Sequence, residues 1–273
     1  MIGGRREQAA TYAVLGIFSL FAILPIVGIV LTAVQKQGGT ATFGQFDGIH
    51  LDNFKRAWEQ GNFGSYLRSS AIVSVSVVTI SSALSILAGY AFGLMRFRGA
   101  QALFYVFLLG LMVPMESMIV PLYYDLRDLQ LTDTYWALIL PQAGTSIAFG
   151  TFWMRAYFRS VPRSLVEAAR IDGASSWFTL WRVLLPLARP AVLTMMVLLF
   201  MWTWNEFLLA LVMVSDEGLR TAPLGLSFFQ GRNQADLTLL SAGAVIVALP
   251  VVVLYVFLQR HFIRGMLSGA VKG

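Results

Sequence analysis

Six stretches of this sequence stay apolar for about twenty residues or more: roughly 10–34, 68–94, 102–124, 136–158, 190–212 and 238–259. No other feature limits the fold as much. A helix rising about 1.5 Å per residue needs about 20 residues to cross a hydrocarbon core about 30 Å thick. Inside lipid, only a helix or a closed barrel can pair every backbone N–H and C=O within itself. Composition agrees, with 57% hydrophobic and only 12% charged residues, where soluble domains carry about 25% charged. The spacing predicts an all-α integral membrane protein of six transmembrane helices, forming a single domain over residues 1–273. Arg5 and Arg6 precede the first run as they would in a signal peptide. That run is too long for an apolar signal core of about 7–15 residues, so it reads as a retained helix.

Charge distribution sets the expected orientation. With the N-terminus inside the cell, the outer side receives Lys36, Lys55, Arg56, Arg68, Arg127, Arg220 and Arg232, leaving 13 of the 20 lysines and arginines inside. The positive-inside rule therefore puts both termini in the cytoplasm, together with the segment 159–189. The net charge of +6 follows membrane topology, so nucleic acid is not an expected partner. The outer loops fall at about 35–67, 125–135 and 213–237. The first contains "LDNFKRAWEQGNFGSYLRSS", which reads equally as an amphipathic helix on the membrane surface or as a solvated linker. Pro25, Pro114, Pro121 and Pro250 lie in or near spans, where each can kink its helix.

Catalytic chemistry is not expected. None of the three lysines follows a glycine, so there is no phosphate-cradling G-x-x-x-x-G-K loop. There is no cysteine, and His50 and His261 stand apart, so neither a thiol nucleophile nor a metal site is expected. The clear ionisable candidates within spans are Glu116 and Glu206.

The longest polar interruption, "RSVPRSLVEAARIDGASSWFTLWRVLLPLARP", runs from Arg159 to Pro190 and carries five arginines. Pro162 suits a first helical position. Ser164 with Glu167 could instead form a capping box and start the helix later. Gly173 can close it in a left-handed conformation. Leu165, Ala168, Ala169 and Asp172 share one face, where small alanines permit close approach by a partner. A second short helix, "SSWFTLWRVLL", is expected to stop at Pro186.

"EAARIDGASSWFTLWRVLLP", Glu167 to Pro186, resembles the EAA loop of bacterial ABC importer permeases. "MVPMESMIVPLYYDLRDLQLTDTYWALILP", "WNEFLLAL" and the ending "QRHFIRGMLSGAVKG" are similar to the carbohydrate-uptake, maltose-type branch of that family. The resemblance covers most of residues 68–273, and the six-span length is similar to the branch's shorter permease subunit. Leu180 stands where that pattern has an aromatic, and Val183 where it has isoleucine.

The resemblance implies an ABC transporter transmembrane domain, a non-catalytic half of a heteromeric sugar importer in a bacterial or archaeal cytoplasmic membrane. Its implied partners are a second homologous permease, two ATP-binding subunits that would hold ATP and Mg, and an extracytoplasmic solute-binding protein. Membrane lipid and a di- or oligosaccharide complete the set. ATPase coupling would run through Glu167, Ala168, Ala169, Arg170, Asp172, Gly173 and Pro186. Gly269, Ala270, Val271 and Lys272 in the glycine-rich tail would supply a second ATPase contact. An ABC permease for another solute, such as a glycerol phosphate ester, and a stand-alone secondary carrier are the alternatives.

Counting helical rise puts Glu116 and Glu206 at similar depth, each about 21–24 Å into its span. Trp204, Asn205 and Glu206, with Glu116, offer the acidic, amide and aromatic groups that suit sugar hydroxyls and C–H faces. They form the expected pathway, unless the tryptophans belong to an interfacial belt and the carboxylates are structural.

Overall fold

The computed structural model describes residues 5–36, 48–230 and 236–270, with residues 5, 6 and 260–270 described by their backbone alone. Ten helices organise it: α1 (Arg5–Ala33), α2 (Asp52–Gln60), α3 (Phe63–Leu94), α4 (Ala100–Met112), α5 (Met115–Asp128), α6 (Tyr135–Ser160), α7 (Arg163–Ile171), α8 (Ser176–Trp204), α9 (Leu208–Met213) and α10 (Leu237–Ala270). Short helical turns lie between α9 and α10, and the described residues contain no strand.

Among the described residues, four helices are long and apolar enough to cross a bilayer: Glu7–Ala33, Phe63–Leu94, Ser176–Trp204 and Leu237–Gln259. The expected third span, 102–124, is two helices. α4 and α5 meet at a 97° bend, and α4's 13 residues rise only about 20 Å. The cause lies in the sequence. A residue before proline is pushed out of the helical region, and Val113 accordingly sits at φ −82°, ψ 117°, followed by an extended Pro114. Counted as one span, the bent pair makes a fifth. α6 has the length, 26 residues, but Gln142, Thr145, Ser146 and Arg155 leave it less apolar than the others.

The expected fifth span differs too. α8 starts at Ser176, runs straight through Pro186 and Pro190, and ends at Trp204, so the predicted short helix stopping at Pro186 does not exist as a separate element. Thr179–Leu184 is a π turn. Pro186 has no N–H for the Arg182 carbonyl and its ring crowds that carbonyl, and the wider turn directly before it accommodates both.

The contacts form two compact units, one of residues 1–64 and 225–249, the other of 65–224 and 250–273. In the first, α1 exposes its apolar side chains along its length, including Phe18 and Phe21. The stretch 51–70, expected as an amphipathic helix or a linker, forms α2 and, from Phe63, the start of α3. α2 is pinned by buried Asn53. That side chain donates to the Ala33 and Gln35 carbonyls at 3.0 and 2.8 Å, capping the end of α1.

In the second unit, α3 and α6 pack through small residues spaced four apart: Ser81, Ser85, Gly89 and Gly93. Ser81 and Ser85 donate to the Ala143 and Ile147 carbonyls at 3.4 and 3.3 Å. A Cβ on Gly89 would lie 2.5 Å from Met154 Cβ, and one on Gly93 2.9 Å from Phe158 Cβ. Only glycine permits such approach. Two apolar cores flank this contact. One gathers Val73, Leu126, Leu138 and Leu209, and the other Tyr90, Met154, Phe158, Leu180 and Leu184.

Candidate functional site: a cavity at two helix breaks and a braced cytoplasmic-loop helix

Glu116 and Glu206 line one cavity of about 320 Å3 within the second unit. Each sits at a helix interruption. Glu116 is in the first turn of α5, just past the 97° bend. Glu206 lies in the break between α8 and α9, and its two carboxylate oxygens accept from Leu209 N at 2.8 Å and Ala210 N at 3.2 Å. Those are orphan donors that the start of a helix leaves unpaired. Glu206 therefore holds the break together while facing the cavity. Glu116 is exposed, in no ion pair among the described residues.

The rest of the wall comes mainly from α6 and the end of α8. α6 contributes Gln142, Thr145, Ser146 and Phe149, and α8 contributes Trp202 and Thr203. Phe149 and Trp202 meet edge to face at 4.7 Å, a favourable aromatic geometry. The Thr145 hydroxyl donates back to the Gln142 carbonyl at 3.1 Å. Among the described residues, no arginine or lysine lines the cavity.

Two of the four expected pathway residues are elsewhere. Trp204 is buried and stacked on Phe200 at 5.3 Å. Asn205 is exposed and donates to the Met201 carbonyl at 2.7 Å, closing α8. Trp202 rather than Trp204 reaches the cavity beside Glu206, because Trp204 pairs with Phe200 on a different face of α8. Nearness to Glu206 in the sequence does not separate the two. The α6 contributors went unnoticed because Gln, Thr and Ser in a span read as tolerated polar residues.

The segment after α6 is built to be rigid. Pro162 precedes α7 rather than opening it, and no side chain caps the helix, so the Ser164–Glu167 box does not form. The far end matches expectation. Gly173 is left-handed at φ +76°, Gly173 N donates to Arg170 O at 3.0 Å, and Ala174 N to Ala169 O at 2.9 Å. This pair of bonds is the Schellman closure. Ser175 then caps α8 by accepting from Phe178 N at 3.2 Å. Tyr90 of α3 donates to the Ser176 carbonyl at 3.2 Å.

Glu167, Ala168, Arg170 and Asp172 are exposed, but Ala169 is buried within the chain, so the two alanines do not share one free face. Leu180 is buried in the internal core and Val183 packs against it. The departures at these positions therefore bear on internal packing. Pro186 is exposed within α8. Gly269 and Ala270 belong to the helical backbone of α10, while Val271 and Lys272 lie outside the described residues.

Comparison with known proteins decides what kind of chain this is. The profile of the binding-protein-dependent transport system inner membrane component family matches residues 81–268. The chain belongs to that family. It is thus a multi-pass membrane protein of a transport system. It is 40% identical over 224 residues to a probable ABC transporter permease protein, YurM, of Bacillus subtilis, covering 82% of this chain and 74% of the relative. The arabinooligosaccharides transport system permease protein AraQ of Halalkalibacterium halodurans is 33% identical, with 93% of each chain covered. The maltodextrin transport system permease protein MdxG of Bacillus subtilis is 32% identical over 98% of this chain and 97% of its own. Among solved structures, a bacterial ABC transporter involved in the import of the acidic polysaccharide alginate shares the fold. Its TM-score is 0.82 at 24% identity, with 96% of this chain and 99% of that one covered.

Proposed function

We propose that this chain is one permease subunit of an ATP-driven importer for di- or oligosaccharides, forming the pathway with a second permease. The observation that carries the proposal is the cavity itself. Two carboxylates, an amide and three hydroxyls stand beside an aromatic pair, the combination that engages sugar hydroxyls on one side and C–H faces on the other. With two acids and no base among the described residues of its wall, the cavity favours a neutral solute over a phosphate ester, since an anion there would meet like charge. The saccharides named for the arabinooligosaccharide and maltodextrin relatives support the same class.

Energy would enter from separate ATP-binding subunits holding ATP and Mg. α7 is the proposed contact, with Glu167, Ala168, Arg170 and Asp172 on its exposed surface and Gly173 fixing its turn. A rigid short helix passes on rigid-body motion that a loose loop would absorb. Both termini and α7 would lie in the cytoplasm, with the tail near Gly269 and Lys272 giving a further contact. A solute-binding protein would deliver the sugar from outside. The test is uptake by vesicles containing the chain and its partner subunits. ATP-dependent uptake of a malto- or arabino-oligosaccharide is expected, and Trp202→Ala should raise KM roughly ten-fold, the equivalent of one lost contact. Uptake that proceeds without ATP would favour a secondary carrier instead.

A further inference from the structure

A second cavity, of about 690 Å3, lies where the ends of α3 and α6 meet α7. Arg96, Arg159, Arg163 and Arg170 line it with a single carboxylate, Glu167. None of these five is in an ion pair within the chain among the described residues. Four guanidiniums facing one carboxylate leave a strong local excess of positive charge, and guanidinium forks match the oxygens of a phosphate.

The neighbouring space gives this charge a direction. An adjoining cavity of about 330 Å3 shares Phe92 and Arg159 with the first and is walled by Phe104, Tyr105 and Arg155. Arg155 lies 3.7 Å above the Phe104 ring and donates from Nε to the Phe92 carbonyl at 3.3 Å. Beyond it, α4 turns Leu103, Val106 and Leu109 outward. A basic mouth therefore continues into an aromatic floor and then onto an apolar helix face. A molecule charged at one end and apolar along its length fits that sequence, and a small free anion uses only its first part.

We infer that this crevice binds the phosphodiester headgroup of an anionic phospholipid, with the acyl chains lying along α4. Basic pockets between helices near a membrane surface draw anionic headgroups by the same forces. The site is separate from the solute cavity and does not depend on which solute is carried. Glu167 and Arg170 also belong to the surface proposed for the ATPase, so Arg96, Arg159 and Arg163 carry the headgroup contact.

The test uses the transporter purified with its co-expressed subunits, stripped of lipid and examined by native mass spectrometry. Phosphatidylglycerol and phosphatidylcholine with identical acyl chains are added separately. Phosphatidylglycerol should be retained about ten-fold more than phosphatidylcholine, and the double variant Arg159→Gln, Arg163→Gln should abolish the difference. Equal retention of the two lipids overturns the inference, as does unchanged phosphatidylglycerol retention in the variant. Displacement of phosphatidylglycerol by millimolar inorganic phosphate would assign the arginines to a free anion and overturn the lipid. Should the double variant fail to assemble, Arg96→Gln, in the connection between α3 and α4, gives the same reading with a smaller loss.

Discussion

Two helix breaks face the same cavity, and they are made in different ways. The break between α4 and α5 is covalent in origin. Pro114 offers no N–H and forces Val113 out of the helical region, and the chain turns through 97°. The break between α8 and α9 contains no proline. Asn205 closes one helix through its side chain, and Glu206 starts the next by accepting two backbone N–H groups. One break is fixed by the backbone, while the other depends on a carboxylate. The lesson is that the two glutamates, so alike by position, carry different burdens: Glu206 is both scaffold and cavity wall, and Glu116 is wall alone.

Substitutions separate those burdens. Glu206→Ala should have the largest effect, leaving two donors unpaired at a cost of about 1–3 kcal/mol. Thermal unfolding of the purified protein should register it, and an unaltered Tm would refute the scaffold role. Glu206→Gln keeps one oxygen acceptor, so the loss should be about half as large, about 0.5–1.5 kcal/mol, and transport should persist at a reduced rate. Pro114→Ala should change stability by about 0.4–1 kcal/mol, but its clearer sign is geometric. Spin labels at exposed Leu103 and Tyr124 should move apart as the bend opens, and an unchanged distance distribution would mean that packing alone holds it. Glu116→Gln should leave stability within about 0.5 kcal/mol, as for an exposed side chain outside any network, while slowing solute uptake. A Tm loss matching that of Glu206→Ala would erase the distinction.

How far the sequence revealed this arrangement depends on the residue. Glu116 and Glu206 reach one cavity as depth counting suggested, although that count assumed two unbroken helices. Pro114 announced a kink, but its size depends on what α4 and α5 pack against, which no local pattern records. Gly173 was legible because a left-handed closure is a local property of five residues. Pro186 was misleading for the complementary reason. Proline stops a helix by default, and here a π turn and the anchoring of Leu180 and Leu184 in the core let the helix continue. Ala169 was misplaced because periodicity gives a face but does not say whether that face meets the chain's own core, and Trp204 because nearness to Glu206 in the sequence does not say which way a side chain points.

The spacing of Ser81, Ser85, Gly89 and Gly93 has a mechanical consequence. Along this line of small residues α3 and α6 approach nearly backbone to backbone, and there is little soft material there to compress. The pair should act as a stiff beam. At one end Tyr90 ties it to Ser176, beside the turn that follows α7, and towards the other α6 presents Gln142, Ser146 and Phe149 to the cavity. A displacement applied at α7 would reach the cavity wall with little loss, so the glycines and serines that look least functional govern how faithfully one end reports to the other.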